Sequence, residues 1–131
     1  MPWPDSANTA LSRLVAAAAD LCRRPLRHGV VLESGEDDLD CSLRLEVRSA
    51  EGERLESEDL DLEIYRSGDA VHLTLAWQQD DTRPMLWQGE HPLWMDPQGR
   101  RCERPQDGLP IEALARRLRA LLVPLNPAVD P

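Results

Sequence analysis

A chain of 131 residues is enough for one domain with a modest core that needs neither disulfides nor a structural metal. Its net charge of −9 and pI near 4.7 argue against nucleic acid or an anionic membrane as partner, since both demand a basic face. Three widely spaced cysteines, Cys22, Cys41 and Cys102, never arranged as Cys-x-x-Cys, disfavour a disulfide framework or a zinc site and fit a reducing compartment.

The N-terminus has no basic region followed by an apolar run. The Leu11–Cys22 stretch is interrupted by Arg13 and Asp20, so neither a signal peptide nor a membrane span is expected, and the compartment expected is the cytoplasm. All fifteen basic residues are arginine, and phenylalanine is absent.

In chain order, residues 1–7, with Pro2, Pro4 and Trp3, read as a loose arm. Leu11, Leu14, Val15, Ala18, Leu21 and Cys22 recur at the spacing of one helical face until Pro25 stops the pattern. Val30, Val31 and Leu32 form a β-branched run that reads as a strand over His28–Ser34, ending before Gly35 and the acidic turn Glu36-Asp37-Asp38. From Cys41, alternation places Leu43, Leu45 and Val47 on one face and Arg44, Glu46 and Arg48 on the other. After a polar loop over Ser49–Asp59, Leu60, Leu62 and Ile64 alternate with polar residues, as do Val71, Leu73, Leu75 and Trp77. Closing a hairpin at Gly68-Asp69 sets Leu60, Leu62 and Ile64 opposite Trp77, Leu75 and Leu73, and a one-residue slip would misplace all of them.

The stretch from Pro84 to Arg101 carries a doubled Leu-Trp unit, Leu86-Trp87 and Leu93-Trp94, around Gly89-Glu90. Gly-x between apolar runs signals a type II′ turn. Pairing 88 with 91 would set Trp87 opposite Pro92 and Met85 opposite Trp94, all on one face, with Leu86 and Leu93 on the other. Asp96-Pro97-Gln98-Gly99 has the composition of a type I turn, after which Arg100–Arg104 can add a last strand. A second amphipathic helix runs from Pro110 with an apolar stripe of Ile111, Leu114, Ala115, Leu118, Leu121 and Leu122, and Pro124 and Pro127 end it. The fold expected is a single α+β domain over residues 1–131, with residues 1–7 and 125–131 as flexible tails. It consists of an antiparallel β-meander of five to six strands with N- and C-terminal helices packed on one face, a two-layer sandwich.

Catalytic signals are sparse. His28, His72 and His91 lack metal-ligand spacing, and no phosphate loop, nucleophile elbow or dinucleotide fingerprint occurs. Cys102 lies among Arg100, Arg101 and Arg104, an electropositive setting that could favour a thiolate, whereas Cys22 and Cys41 fall in phase with apolar stripes. The five carboxylates of Glu33–Asp40 lack the ligand pattern of a calcium loop and read as a solvated turn. No cofactor and no metal is expected.

The expected function is a non-enzymatic interaction module, an accessory protein, adaptor or dedicated chaperone, that binds a protein partner through Met85, Trp87, Pro92, Trp94, Arg100 and Arg101, with a homodimer as a further option. In general build the chain resembles small acidic secretion chaperones, compact α+β dimers with a C-terminal amphipathic helix; that resemblance is one of architecture and implies a protein partner. The alternative is a small-ligand binder or enzyme with a pocket between sheet and helices, using Arg100, Arg101 and His91 toward an anion.

Overall fold

The computed structural model of the protein describes residues 10–125. Helix α1 (Ala10–Cys22) is followed by strands β1 (Arg27–Asp37), β2 (Asp40–Arg48), β3 (Leu60–Ser67), β4 (Ala70–Trp77), β5 (Met85–Gln88), β6 (Pro92–Met95) and β7 (Arg101–Cys102), then by helix α2 (Leu109–Leu122). The seven strands form one antiparallel sheet in chain order, β1 to β7. This is the α+β meander the residue pattern predicts, with one strand beyond the expected count because Cys102 and Arg101 pair with Trp94 and Met95. A 3-10 turn, Val123–Leu125, closes the described chain, and another, Glu56–Glu58, precedes β3. Leu125 therefore belongs to a structured turn, while Trp3 and the remainder of both expected tails lie outside the described residues.

The β3–β4 hairpin fixes the two faces of the sheet. Leu60, Leu62 and Ile64 stand opposite Trp77, Leu75 and Leu73, and Leu43 and Leu45 of β2 continue the same rows. Their apolar side chains form the inner face. Leu11, Val15, Ala18 and Ala19 of α1 and Ile111, Leu114, Ala115, Leu118 and Leu122 of α2 complete the cluster that buries it. Twelve large side chains, among them Leu45, Ile64 and Leu114, are less than 2% exposed, so the space between sheet and helices is packed core. Cys41 belongs to this core, and burial, reinforced by Asp38, Asp37 and Asp40, pushes its thiol up to about 11.

β1 runs further than its β-branched core suggests. It passes through Gly35 to Asp37, with register shifts between Leu32 and Ser34 and between Gly35 and Asp37, and the turn falls on Asp38-Leu39 with Leu39 buried. Gly35 has φ 131, and a Cβ there would stand 2.4 Å from the Cα of Cys41. The glycine thus permits close approach of β2 within a bulge and does not end the strand.

The polar segment between β2 and β3 is tied down by one carboxylate. Asp59, 3% exposed, accepts the Val47 N–H at 2.8 Å and a two-pronged contact from Arg54, Nη1 at 2.9 Å and Nη2 at 2.8 Å. Arg54 Nη1 also donates to the Val47 carbonyl at 2.7 Å. Burial alone would raise the pKa of Asp59, but the Arg54 and Val47 bonds outweigh it and hold the carboxyl below its usual value. Asp59→Ala should therefore cost about 2–3 kcal/mol, the scale of charge-assisted bonds lost from a buried group. Urea unfolding at pH 7 measures it, and a change below about 0.5 kcal/mol, the level of an ordinary surface substitution, would remove the carboxylate from this role. Because the ionised form is favoured in the fold, its contribution is present above the usual carboxylate pKa and is lost as pH falls through the lower folded value.

Candidate functional site

Both helices lie on the inner face, so the outer face of the sheet has no second layer among the described residues. What stands there depends on the β5–β6 register, which differs from the expected one. Gln88 pairs with Pro92, Trp87 with Leu93, Leu86 with Trp94 and Met85 with Met95, one residue away from the pairing a two-residue turn would give. The connection is a three-residue loop, Gly89-Glu90-His91. Gly89 does not adopt the positive φ that a type II′ turn requires. It is a glycine for reasons of space, since a Cβ there would lie 2.6 Å from Cη2 of Trp87.

The shift separates the expected docking residues. Trp94 and Pro92 fall on the inner side and Met85 and Trp87 on the outer side, joined there by Leu93 and Met95. Trp94 is a core residue at 4% exposure; its ring stacks on Trp77 at 6.3 Å and its Nε1–H donates to Glu112 at 2.7 Å. Arg104 holds the other oxygen of Glu112 at 3.3 Å. The guanidinium of Arg83 lies 3.5 Å from the centroid of the Trp77 ring and also pairs with Asp107. An indole anchored by a buried carboxylate cannot turn outward to meet a partner.

Trp87 is placed differently. Its ring stacks on His72 at 5.0 Å, His72 lies against Tyr65 at 5.5 Å, and the indole N–H donates to the Tyr65 hydroxyl at 2.7 Å. Three adjacent strands thus present a fixed aromatic group, with Thr74, Ala76, Met85, Leu93 and Met95 half-buried around it. This apolar strip has unlike margins. On the β3 side stand Asp61 and Glu63, and burial together with the charges of Glu33 and Asp59 pushes the Asp61 carboxyl up against the pull of Arg44. On the other side Arg101 stands opposite Met95, and a groove of about 490 Å³ collects Arg101, Arg119, His91 and Glu90 beside His72 and Trp87. Arg100 lies in the exposed turn before β7 and does not line that groove. The basic residues expected around a pocket between sheet and helices therefore open onto the outer face and the sheet end.

The remaining titratable groups form structural contacts. The His28 side chain is fully buried; Nδ1 lies 2.9 Å from Oδ1 of Asp20, which also accepts the His28 backbone N–H at 2.8 Å. Arg23 Nη1 lies 3.1 Å from Nε2 of His28, and because a guanidinium can only donate, Nε2 accepts and the proton sits on Nδ1. Arg23 in turn pairs with Glu58 at 3.0 Å. Both ring nitrogens are occupied, which leaves no lone pair for general-base work. This cluster joins the end of α1, β1 and the loop before β3, and nothing in local sequence spacing announces it. Cys102 packs against the core beside Trp94. Among the described residues no group of three or more His, Cys, Asp or Glu could hold a metal ion, and no helix is long and apolar enough to cross a membrane.

Burial, outweighing the Asp20 bond and joined by the charge of Arg23, lowers the pKa of His28 below its ordinary 6.5. The facing groups are Asp20 and Arg23 from the α1 end and Glu58 and Asp59 from the loop before β3. Below pH 6.5 the unfolded chain takes up a proton that the folded chain resists, so stability present above that value is lost as pH falls toward the folded pKa. Chemical denaturation between pH 7.5 and 5 should show this slope, at most about 1.4 kcal/mol per pH unit for one proton, and His28→Gln should flatten it. An equal slope in the variant would exclude His28 as its source.

No curated protein and no solved structure matches the chain. Residues 12–121 match the family described as a domain of unknown function, DUF8659, and the chain belongs to that family.

Proposed function

We propose that this member of the DUF8659 family is a non-enzymatic interaction module, an adaptor or dedicated chaperone of the cytoplasm, that receives an amphipathic segment of a protein partner on its outer sheet face. The observation that carries the reading is the uncovered strip around Trp87, in which Met85, Thr74, Leu93 and Met95 flank an indole already held by Tyr65 and His72. A preorganised aromatic anchor loses little side-chain entropy on binding, and aromatic and methionine side chains are the types enriched where partners dock. The margins define the occupant: apolar side chains over the Trp87 strip, a cationic end toward Asp61 and Glu63, and an anionic end toward Arg101. From β3 to β7 the strip spans roughly 19 Å at ordinary strand spacing. Three free cysteines fit a reducing compartment.

A second reading, a small anionic ligand, is favoured by one feature: Arg101, Arg119 and His91 share the groove next to Trp87. The groove is open and its aromatic wall is continuous with the apolar strip, so it serves equally to receive the anionic end of the segment.

Site-specific photo-crosslinking in the native cell separates these readings. A photoreactive residue at Leu93 should yield adducts with a protein segment that carries an apolar cluster next to Lys or Arg, and the same probe at Arg116 on α2 should not. Trp87→Ala should reduce the adducts at position 93 at least about tenfold, the scale of losing a central aromatic anchor, with the circular dichroism spectrum unchanged. Equal labelling at both probe positions, or adducts lacking an apolar cluster, would overturn the proposal.

A further inference from the structure

The two edges of the sheet are unequal. β7, at one edge, is two residues long, whereas β1, at the other, is eleven. Long edge strands are open templates for pairing and are ordinarily shortened, bulged or covered. The two register shifts distort β1 only from Leu32 onward, which leaves Arg27–Leu32 regular, with Val30, Val31 and Leu32 all half-exposed.

The hydrogen bonds of this stretch show which groups point outward. The His28 N–H goes to Asp20 and not to β2, so in an antiparallel ladder the N–H and C=O groups of Val30 and Leu32, which share its parity, also face away from β2. Asp20 takes the N–H of His28, and among the described residues the outward groups of Val30 and Leu32 have no backbone partner. Charges lie at both ends of the open stretch. Arg27 and Glu33 stand on the outer side, Arg27 opposite Arg48 and Glu33 within 3.7 Å of Arg44. Each is held loosely: Arg27 is 3.6 Å from Asp20 with 69% of its side chain exposed, and Glu33 is 40% exposed.

We propose that the β1 edge is a self-complementary seam for a second copy of this chain, the two β1 strands pairing antiparallel about a two-fold axis at Val30. In that register Val30 meets Val30 and Gly29 meets Val31; at the His28–Leu32 pair Asp20 keeps the His28 N–H, so the bond across the seam runs from the Leu32 N–H to the His28 carbonyl; and Arg27 meets Glu33, twice by symmetry. The neighbouring registers with the same hydrogen-bond parity set Arg27 against Gly35 or Val31 and leave both charges without an opposite, and the register centred on Leu32, which would bring Arg27 to Asp37, runs through both register shifts of β1. Charge matching therefore selects this register, and the two sheets become one continuous sheet with both Trp87 faces free. The seam is at the edge remote from β5 and β6 and does not rest on the docking role of Trp87.

Sedimentation velocity across a concentration series tests it. Wild type should show a concentration-dependent monomer–dimer equilibrium. R27E sets Glu against Glu33 and E33R sets Arg against Arg27, so each should weaken the dimer at least about tenfold, given two reversed pairs per seam. The double variant R27E/E33R should restore it, and an equimolar mixture of the two single variants should form a heterodimer, since every cross-seam pair is then opposite in charge. Val30→Pro removes an edge-facing N–H without taking a bond from β2 and should give monomer. Wild type that stays monomeric at every concentration overturns the seam. So does a dimer that neither single variant weakens, or single variants that fail to associate when mixed; the charge variants lie at exposed positions, so they remain informative even if Val30→Pro does not fold.

Discussion

The row of contacts that sets Leu60, Leu62 and Ile64 against Trp77, Leu75 and Leu73 is the constraint on which the rest of the structure depends. Side chains alternate along each strand, so once this hairpin is closed every neighbouring strand inherits its inner and outer positions from it. With one helix at each end of the meander, and both drawn to the apolar side, no third layer covers the other face among the described residues. The open outer face thus follows from the topology itself. It is the reason that Trp87, Met85 and Leu93 are available at all.

Much of this was legible in the residue pattern. Both helices, the strands from β2 to β4 and the β3–β4 register could be read because two independent signals agreed: alternation over at least four residues and a Gly-Asp turn that brings the apolar sets into coincidence. The end of β1 could not be read so well, because a glycine is the same letter whether it ends a strand or admits a close neighbour. Gly35 does the second, with Cys41 pressed against it.

The same ambiguity governs the tryptophan hairpin. Gly89 suggested a turn of special backbone geometry, yet it makes room for the Trp87 ring, and the loop takes one residue more. That single residue moved Trp94 into the core and kept Trp87 outside, which divides the expected docking set between two faces. What holds each indole was also invisible locally: Glu112 is 18 positions from Trp94, and Tyr65 is 22 from Trp87. The buried Asp20–His28–Arg23–Glu58 group was hidden for the same reason, since Arg23 and Glu58 are 35 residues apart.

The three described indoles also divide the molecule optically. Trp77 and Trp94 stack at 6.3 Å inside the core, close enough for their excited states to couple, and so report through their shared circular dichroism on the packing of the inner layer. Trp87, stacked on an imidazole at the sheet surface, reports on the outer face through its own emission. Unfolding and surface occupancy can thus be followed as separate signals from native residues, with no label added to a face whose chemistry is the property of interest.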